Sequence, residues 1–145
     1  MKKIIFVLAS IMMTAGIASA DNDRIIAFDQ LPAKAREFVK QYFPSEKVSY
    51  VKEESDFMEL SYEVVFAQGT KVEFSGQGEW KEVDCRYSTL NEKLVPAQIR
   101  DYVSKNFPDT KFVKIERGYR GYEVKLTNRL ELTFDAEYHL VDIDD

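Results

Sequence analysis

Apolar and polar positions alternate along most of this chain, and the period of the alternation changes in two places. Over 31–44 the apolar residues Ala35, Phe38, Val39 and Tyr42 fall at i, i+3, i+4 and i+7, with Lys34, Arg36, Glu37 and Lys40 between them. That spacing predicts a short amphipathic helix starting near Pro32, since a missing N–H costs nothing in a first turn. Pro44 ends it, because a residue before proline avoids helical geometry. The period then drops to two. Met58, Leu60, Tyr62, Val64 and Phe66 alternate with polar residues, as do Val72 and Phe74, and then Val83, Cys85 and Tyr87. With a further strand over 48–52, the pattern reads as four strands with one buried face, joined by turns at Gln68-Gly69 and Gly76-Gln77-Gly78.

The whole plan is then written again. Leu31-Pro-Ala-Lys-Ala-Arg-Glu-Phe-Val-Lys-Gln-Tyr-Phe-Pro44 returns without a gap as Val95-Pro-Ala-Gln-Ile-Arg-Asp-Tyr-Val-Ser-Lys-Asn-Phe-Pro108. Tyr62-Glu-Val64 matches Tyr122-Glu-Val124, Phe74 matches Phe134, and 79–84 matches 137–142, which pairs Trp80 with Tyr138 and Lys81 with His139. The second helix carries Ile99, Tyr102 and Val103, and its strands are expected over 111–117, 121–126, 130–134 and 138–143. A helix of three turns is not stable alone, so each must dock on strands. The expected fold class is α+β. Two tandem α-β(4) repeats, about 25–87 and 90–143, form one antiparallel sheet of about eight strands, with two helices on one face and the other face open. Residues 21–145 are expected to make a single domain, since half of it would bury little apolar surface.

Residues 1–20 stand outside this pattern. Lys2 and Lys3 precede an apolar stretch that ends in Ala18-Ser19-Ala20, the signature of a secretory signal peptide cut before Asp21. The apolar run is short and lacks a charged stop, so stable membrane insertion after cleavage is not expected. A periplasmic or secreted location follows. Cleavage would remove two lysines and no acid from a chain whose formal net charge is already −5. So acidic a surface lacks the basic stripe a nucleic-acid binder needs. Cys85 is the lone cysteine, so no intramolecular disulfide can form, and its strand position predicts a buried small residue.

The signal peptide, the tandem Leu/Val-Pro helix ending in Phe-Pro and the Tyr-Glu-Val strand are similar to those of the PepSY-like, β-lactamase-inhibitor-protein-like family of secreted bacterial proteins. The resemblance spans about residues 25 to 143. It implies tandem α-β4 units sharing a sheet, and a module that binds a protein or peptide through the open sheet face.

Catalytic chemistry finds little support in the residues. His139 is the lone histidine, and no Ser-His-Asp or Cys-His arrangement is evident, so an enzyme is not expected. His139 reads as a partly solvated strand residue. Asp142, Asp144 and Asp145 lack the glycine and spacing of a calcium loop, so no metal or other cofactor is expected. Binding is the better reading. If Val72, Phe74, Val83, Cys85, Leu132 and Phe134 face the helices, the opposite parity carries Trp80 and Tyr138; Tyr50 and Phe112 join them if Val51, Val113 and Ile115 face inward. Glu63 and Glu123 share that face, with Glu59, Glu73, Lys125 and Glu131. Aromatics among charges suit a recognition surface, though they also favour plain cross-strand pairing. The candidate binding residues are therefore Tyr50, Trp80, Phe112, Tyr138, Glu63 and Glu123, and the expected partner is a protein or peptide, with an exposed edge strand also allowing a homodimer. The rival expectation is a small-molecule or ion sensor with a pocket between the repeats.

Overall fold

The computed structural model describes residues 22–145, so the expected signal peptide lies outside the described residues. The strands are β1 (Arg24–Ile26), β2 (Val48–Asp56), β3 (Glu59–Phe66), β4 (Lys71–Ser75), β5 (Trp80–Asp84), β6 (Phe112–Gly118), β7 (Gly121–Leu126), β8 (Glu131–Asp135) and β9 (Leu140–Asp144). The helices are α1 (Ala33–Tyr42), between β1 and β2, and α2 (Ala97–Asn106), between β5 and β6. The fold is α+β, and the strands neighbour one another in chain order in an antiparallel sheet. Among the described residues there are nine strands rather than about eight, because the polar lead-in is itself a strand. Ile26 pairs with Val51 and is buried there, whereas Ile25 stays 65% exposed.

The described chain divides into two compact units, one ending at Glu82 and one spanning Val83–Asp145. In the first, α1 lies on the face of β2–β4 that carries Val51, Val64, Phe66, Val72 and Phe74, all buried. Phe38 meets Phe74 edge-on at 5.5 Å, and Phe43 stacks on Phe66 at 4.8 Å. Removing such side chains from water is worth about 1.5–3 kcal/mol each, which holds a helix of ten residues that would not persist alone. In the second unit α2 repeats the arrangement. Ile99 and Val103 are buried, and Tyr102 meets Phe134 edge-on at 5.7 Å. The duplicated helix motif has a local cause as well. Arg36 Nε donates to the Leu31 carbonyl at 3.1 Å, and Arg100 Nε donates to the Val95 carbonyl at 3.0 Å. Each arginine thus ties its helix to the residue before the initiating proline.

Bulges break the strict alternation at equivalent places. In β2 the register shifts between Val48 and Tyr50, and in β6 between Phe112 and Lys114. In β9, Leu140 pairs with Phe134 while Asp142 pairs with Thr133, which leaves Val141 as the extra residue. Three expectations are corrected here. Phe112 does not face outward: it pairs with Leu126 and is 4% exposed, because the bulge at Val113 reverses the parity counted from Ile115. Trp80 is also on the helix side, its ring 6.1 Å from that of Phe38. Tyr138 is not a strand residue at all. It sits in the β8–β9 turn at φ 69°, with its ring 5.6 Å from Tyr122, which pairs with the buried Phe134.

The turn hydrogen bonds show how the two repeats correspond there. Ser75 N–H donates to the Glu79 carbonyl and Gly78 N–H to the Ser75 carbonyl, just as Asp135 N–H donates to His139 and Tyr138 N–H to Asp135. Tyr138 is therefore the counterpart of Gly78, Leu140 of Trp80, and His139 of Glu79 rather than Lys81. Gly78 sits at φ 90° against the start of α1, where an added Cβ would lie 3.0 Å from both Pro32 and Lys34. The second repeat has space for a ring at that position, and the first does not.

Candidate functional site

The face of β2–β4 turned away from α1 carries charge instead of aromatics. Register sets the rows. Lys52 is opposite Glu63, which is opposite Glu73, while Tyr50 is opposite Val65, which is opposite Lys71. Of the four expected aromatics, Tyr50 alone stands on this outward face, 41% exposed. Glu63 is the unusual member. It is 8% exposed on an uncovered face, because Lys52 Nζ at 3.7 Å and Lys71 Nζ at 3.3 Å close over its carboxylate. Lys52 also reaches Glu54 at 3.2 Å and Asp23 at 3.9 Å. Its partial burial works against the charge, but the hydrogen bond to Glu54 and the neighbouring carboxylates override this and push its pKa up.

Glu73 is in the opposite position. Among the described residues Lys52 and Lys71 are committed to Glu63, and no ion pair reaches Glu73. Burial, with the Glu82 carboxylate nearby and lesser contributions from Glu54 and Glu63, pushes its carboxyl up to about 7; Lys81 opposes this in part. A carboxylate directly opposite another is destabilising on a sheet unless one of them is neutral. Chemically, this row can exchange a proton near neutrality and can accept a cation.

In the second unit the outward face of β6–β8 places Glu123 opposite Glu116 on one side and Thr133 on the other, with Lys114, Lys125 and Glu131 around a dimple of about 10 Å3. Glu123 thus matches Glu63, but the counterpart of Glu73 is Thr133. The first repeat thus carries a glutamate where the second carries a threonine. Sequence reasoning placed Glu73 on this face without singling it out. The signal was there, in a strand glutamate whose counterpart one repeat later is a threonine.

Cys85 is 3% exposed, and its N–H donates to the Val113 carbonyl. Asp135, Glu137 and His139 bring potential ligand atoms within 4.8 Å of one another. Asp135 is already employed in the turn, however, accepting the N–H groups of Glu137 and His139 at 2.9 Å, and these bonds hold its carboxyl below the usual range. An open groove of about 340 Å3 lies beside α1, with Val39, Phe43 and Val48 along it and Lys40 and Glu46 among its polar lining.

The family profile described as "Putative beta-lactamase-inhibitor-like, PepSY-like" matches residues 60–142. The chain belongs to the PepSY-like family. Three solved structures extend the likeness beyond the profile. A "putative calcium-regulated periplasmic protein" from Bacteroides thetaiotaomicron is 49% identical, with a TM-score of 0.84 over 86% of this chain and 98% of that one. Two periplasmic proteins from Bacteroides vulgatus are 45% and 37% identical, with TM-scores of 0.85 and 0.82, over 88% and 86% of this chain and the whole of each of theirs. A search of curated proteins returned no match. Like these relatives, the PepSY-like chain is periplasmic. Among the described residues no helix is long and apolar enough to cross a membrane.

Proposed function

We propose that this PepSY-like protein is a non-enzymatic binding module that recognises a protein or peptide through the outward face of β2–β4. One observation carries the reading. Among the described residues Glu63 is buried between two lysines on the face turned away from α1, and Glu73 beside it forms no ion pair. Such groups have already lost much of their hydration, so a partner that supplies a positive charge meets a smaller desolvation cost than on an ordinary surface. Tyr50, next to this row, offers an aromatic contact of the kind found at interface centres. The inhibitor-like description of the family supports a binding role that is not catalytic.

The test is affinity capture from periplasmic extract with the wild type, the double variant Glu73→Lys/Glu82→Lys, and Trp80→Phe as a control on the helix side. The expected result is a partner retained by wild type and Trp80→Phe and lost by the double variant. Equal capture by all three would remove the outward face from consideration.

A further inference from the structure

We propose that the β8–β9 turn holds a zinc-type divalent ion, with Asp135, Glu137 and His139 as its ligands. The inference goes beyond the outward face of β2–β4 and does not depend on it. Potential ligand atoms of the three side chains lie within 4.8 Å of one another, and all three are open to solvent. The turn itself uses only half of Asp135. Its Oδ1 accepts the N–H groups of Glu137 and His139, while its Oδ2 stands 3.4 Å from His139 Nδ1. That is long for a charge-assisted hydrogen bond, which runs about 2.7–2.9 Å. It is the spacing of two donors on one ion, since ligands about 2.1 Å from a tetrahedral zinc stand about 3.4 Å apart. Exposed Glu137 supplies the third ligand by rotation of its own side chain.

The first repeat shows the same turn without this chemistry. There Ser75 Oγ accepts the N–H groups of Gln77 and Glu79 at 3.3 and 3.2 Å, so one hydroxyl oxygen is enough to hold that backbone. Glu79 is taken by Lys34 of α1 at 2.6 Å. The aligned helix position in the second repeat is Gln98, and His139 is set beside Asp135 instead. Where the first repeat has Ser75, Gln77 and Glu79, the second thus has two carboxylates and an imidazole that the turn does not need. Imidazole with carboxylates suits a borderline ion such as zinc, whereas calcium and magnesium take oxygen ligands. Three protein ligands leave a fourth position for water or for a donor from a partner. Cys85, the lone thiol, is 3% exposed and does not compete.

Because His139 is the lone histidine, its imidazole signals report on the site directly in tag-free protein. Titration with zinc chloride alone should shift the imidazole 15N resonances until one equivalent is bound, with the pattern of coordination through Nδ1. Calorimetry should show no zinc binding by His139→Gln. Asp135→Ser and Glu137→Gln place first-repeat residues in the turn, so both should fold, as circular dichroism without zinc will check. Each should weaken zinc binding by about tenfold or more, the loss of one ligand of three. Imidazole signals unmoved by zinc would overturn the site. So would coordination through Nε2, or zinc binding by Asp135→Ser and Glu137→Gln as tight as that of the wild type, since the histidine would then act alone. Calcium chloride that displaces the zinc at equal concentration would overturn the class of ion.

Discussion

At the residue scale, the aromatic side chains fall into two groups that parity alone does not separate. Trp80 and Phe112 were legible as strand residues, and Tyr50 was legible as outward. What the alternation hid at Phe112 was the bulge in β6, because an extra residue reverses the facing of everything beyond it. Trp80 reads outward when counted from Val83, yet its ring lies 6.1 Å from Phe38. Its substitution should therefore register in stability. Trp80→Ala is expected to lower the unfolding free energy by about 2 kcal/mol, less than a fully buried ring because Trp80 is half-exposed. Urea unfolding followed by circular dichroism checks this; a change below about 0.5 kcal/mol would mean that the contact with α1 contributes little.

At the element scale, the helices were the most legible part of the chain. Proline at the start, an apolar stripe at helical spacing and Phe-Pro at the end are local signals, and each acts within the turn that carries it. The β2–β3 hairpin is different. Its strands follow the alternation, but the two-residue turn between Asp56 and Glu59 is Phe57-Met58, where asparagine or glycine would be favoured. Phe57 is held at φ 25° with its ring 95% exposed, so the backbone strain brings no packing in return. Phe57→Asn should raise stability by about 1 kcal/mol, through relief of that strain. The urea midpoint should rise with an unchanged denaturant slope, since the buried surface is the same. A lower midpoint would mean that the Phe57 ring finds contacts in solution that offset its backbone. The lead-in shows the same limit of local reading. Three residues, Arg24–Ile26, carry too little pattern to announce a strand, and it is pairing with β2 that makes them one.

At the scale of the whole molecule, charge and fold meet in the pH dependence of stability. The fold class and the duplication were legible because a repeat supplies its own internal comparison. The candidate site was legible only as a face, since which carboxylate lacks a cation depends on how lysines on neighbouring strands distribute between acids. Glu73 makes that distribution measurable. Its carboxyl is raised by burial and by Glu82 from 4.5 to about 7, so between these values the folded state binds more protons than the unfolded chain. Stability from this group is full below pH 4.5 and falls as pH rises through 7, by an upper bound of about 3 kcal/mol. Asp135 works in the other direction. The N–H groups of His139 and Glu137 lower its pKa, so what it contributes is present above its ordinary pKa and is lost in acid. The wild-type curve therefore mixes the two, and the difference between variants isolates Glu73. Glu73→Gln should be more stable than wild type at pH 8, and the advantage should shrink steadily towards pH 5, because glutamine resembles the protonated acid and cannot ionise. Melting temperatures of both proteins across that range test this directly. An advantage that does not vary with pH would show that the glutamine improves packing on the outward face and that Glu73 ionises there without penalty.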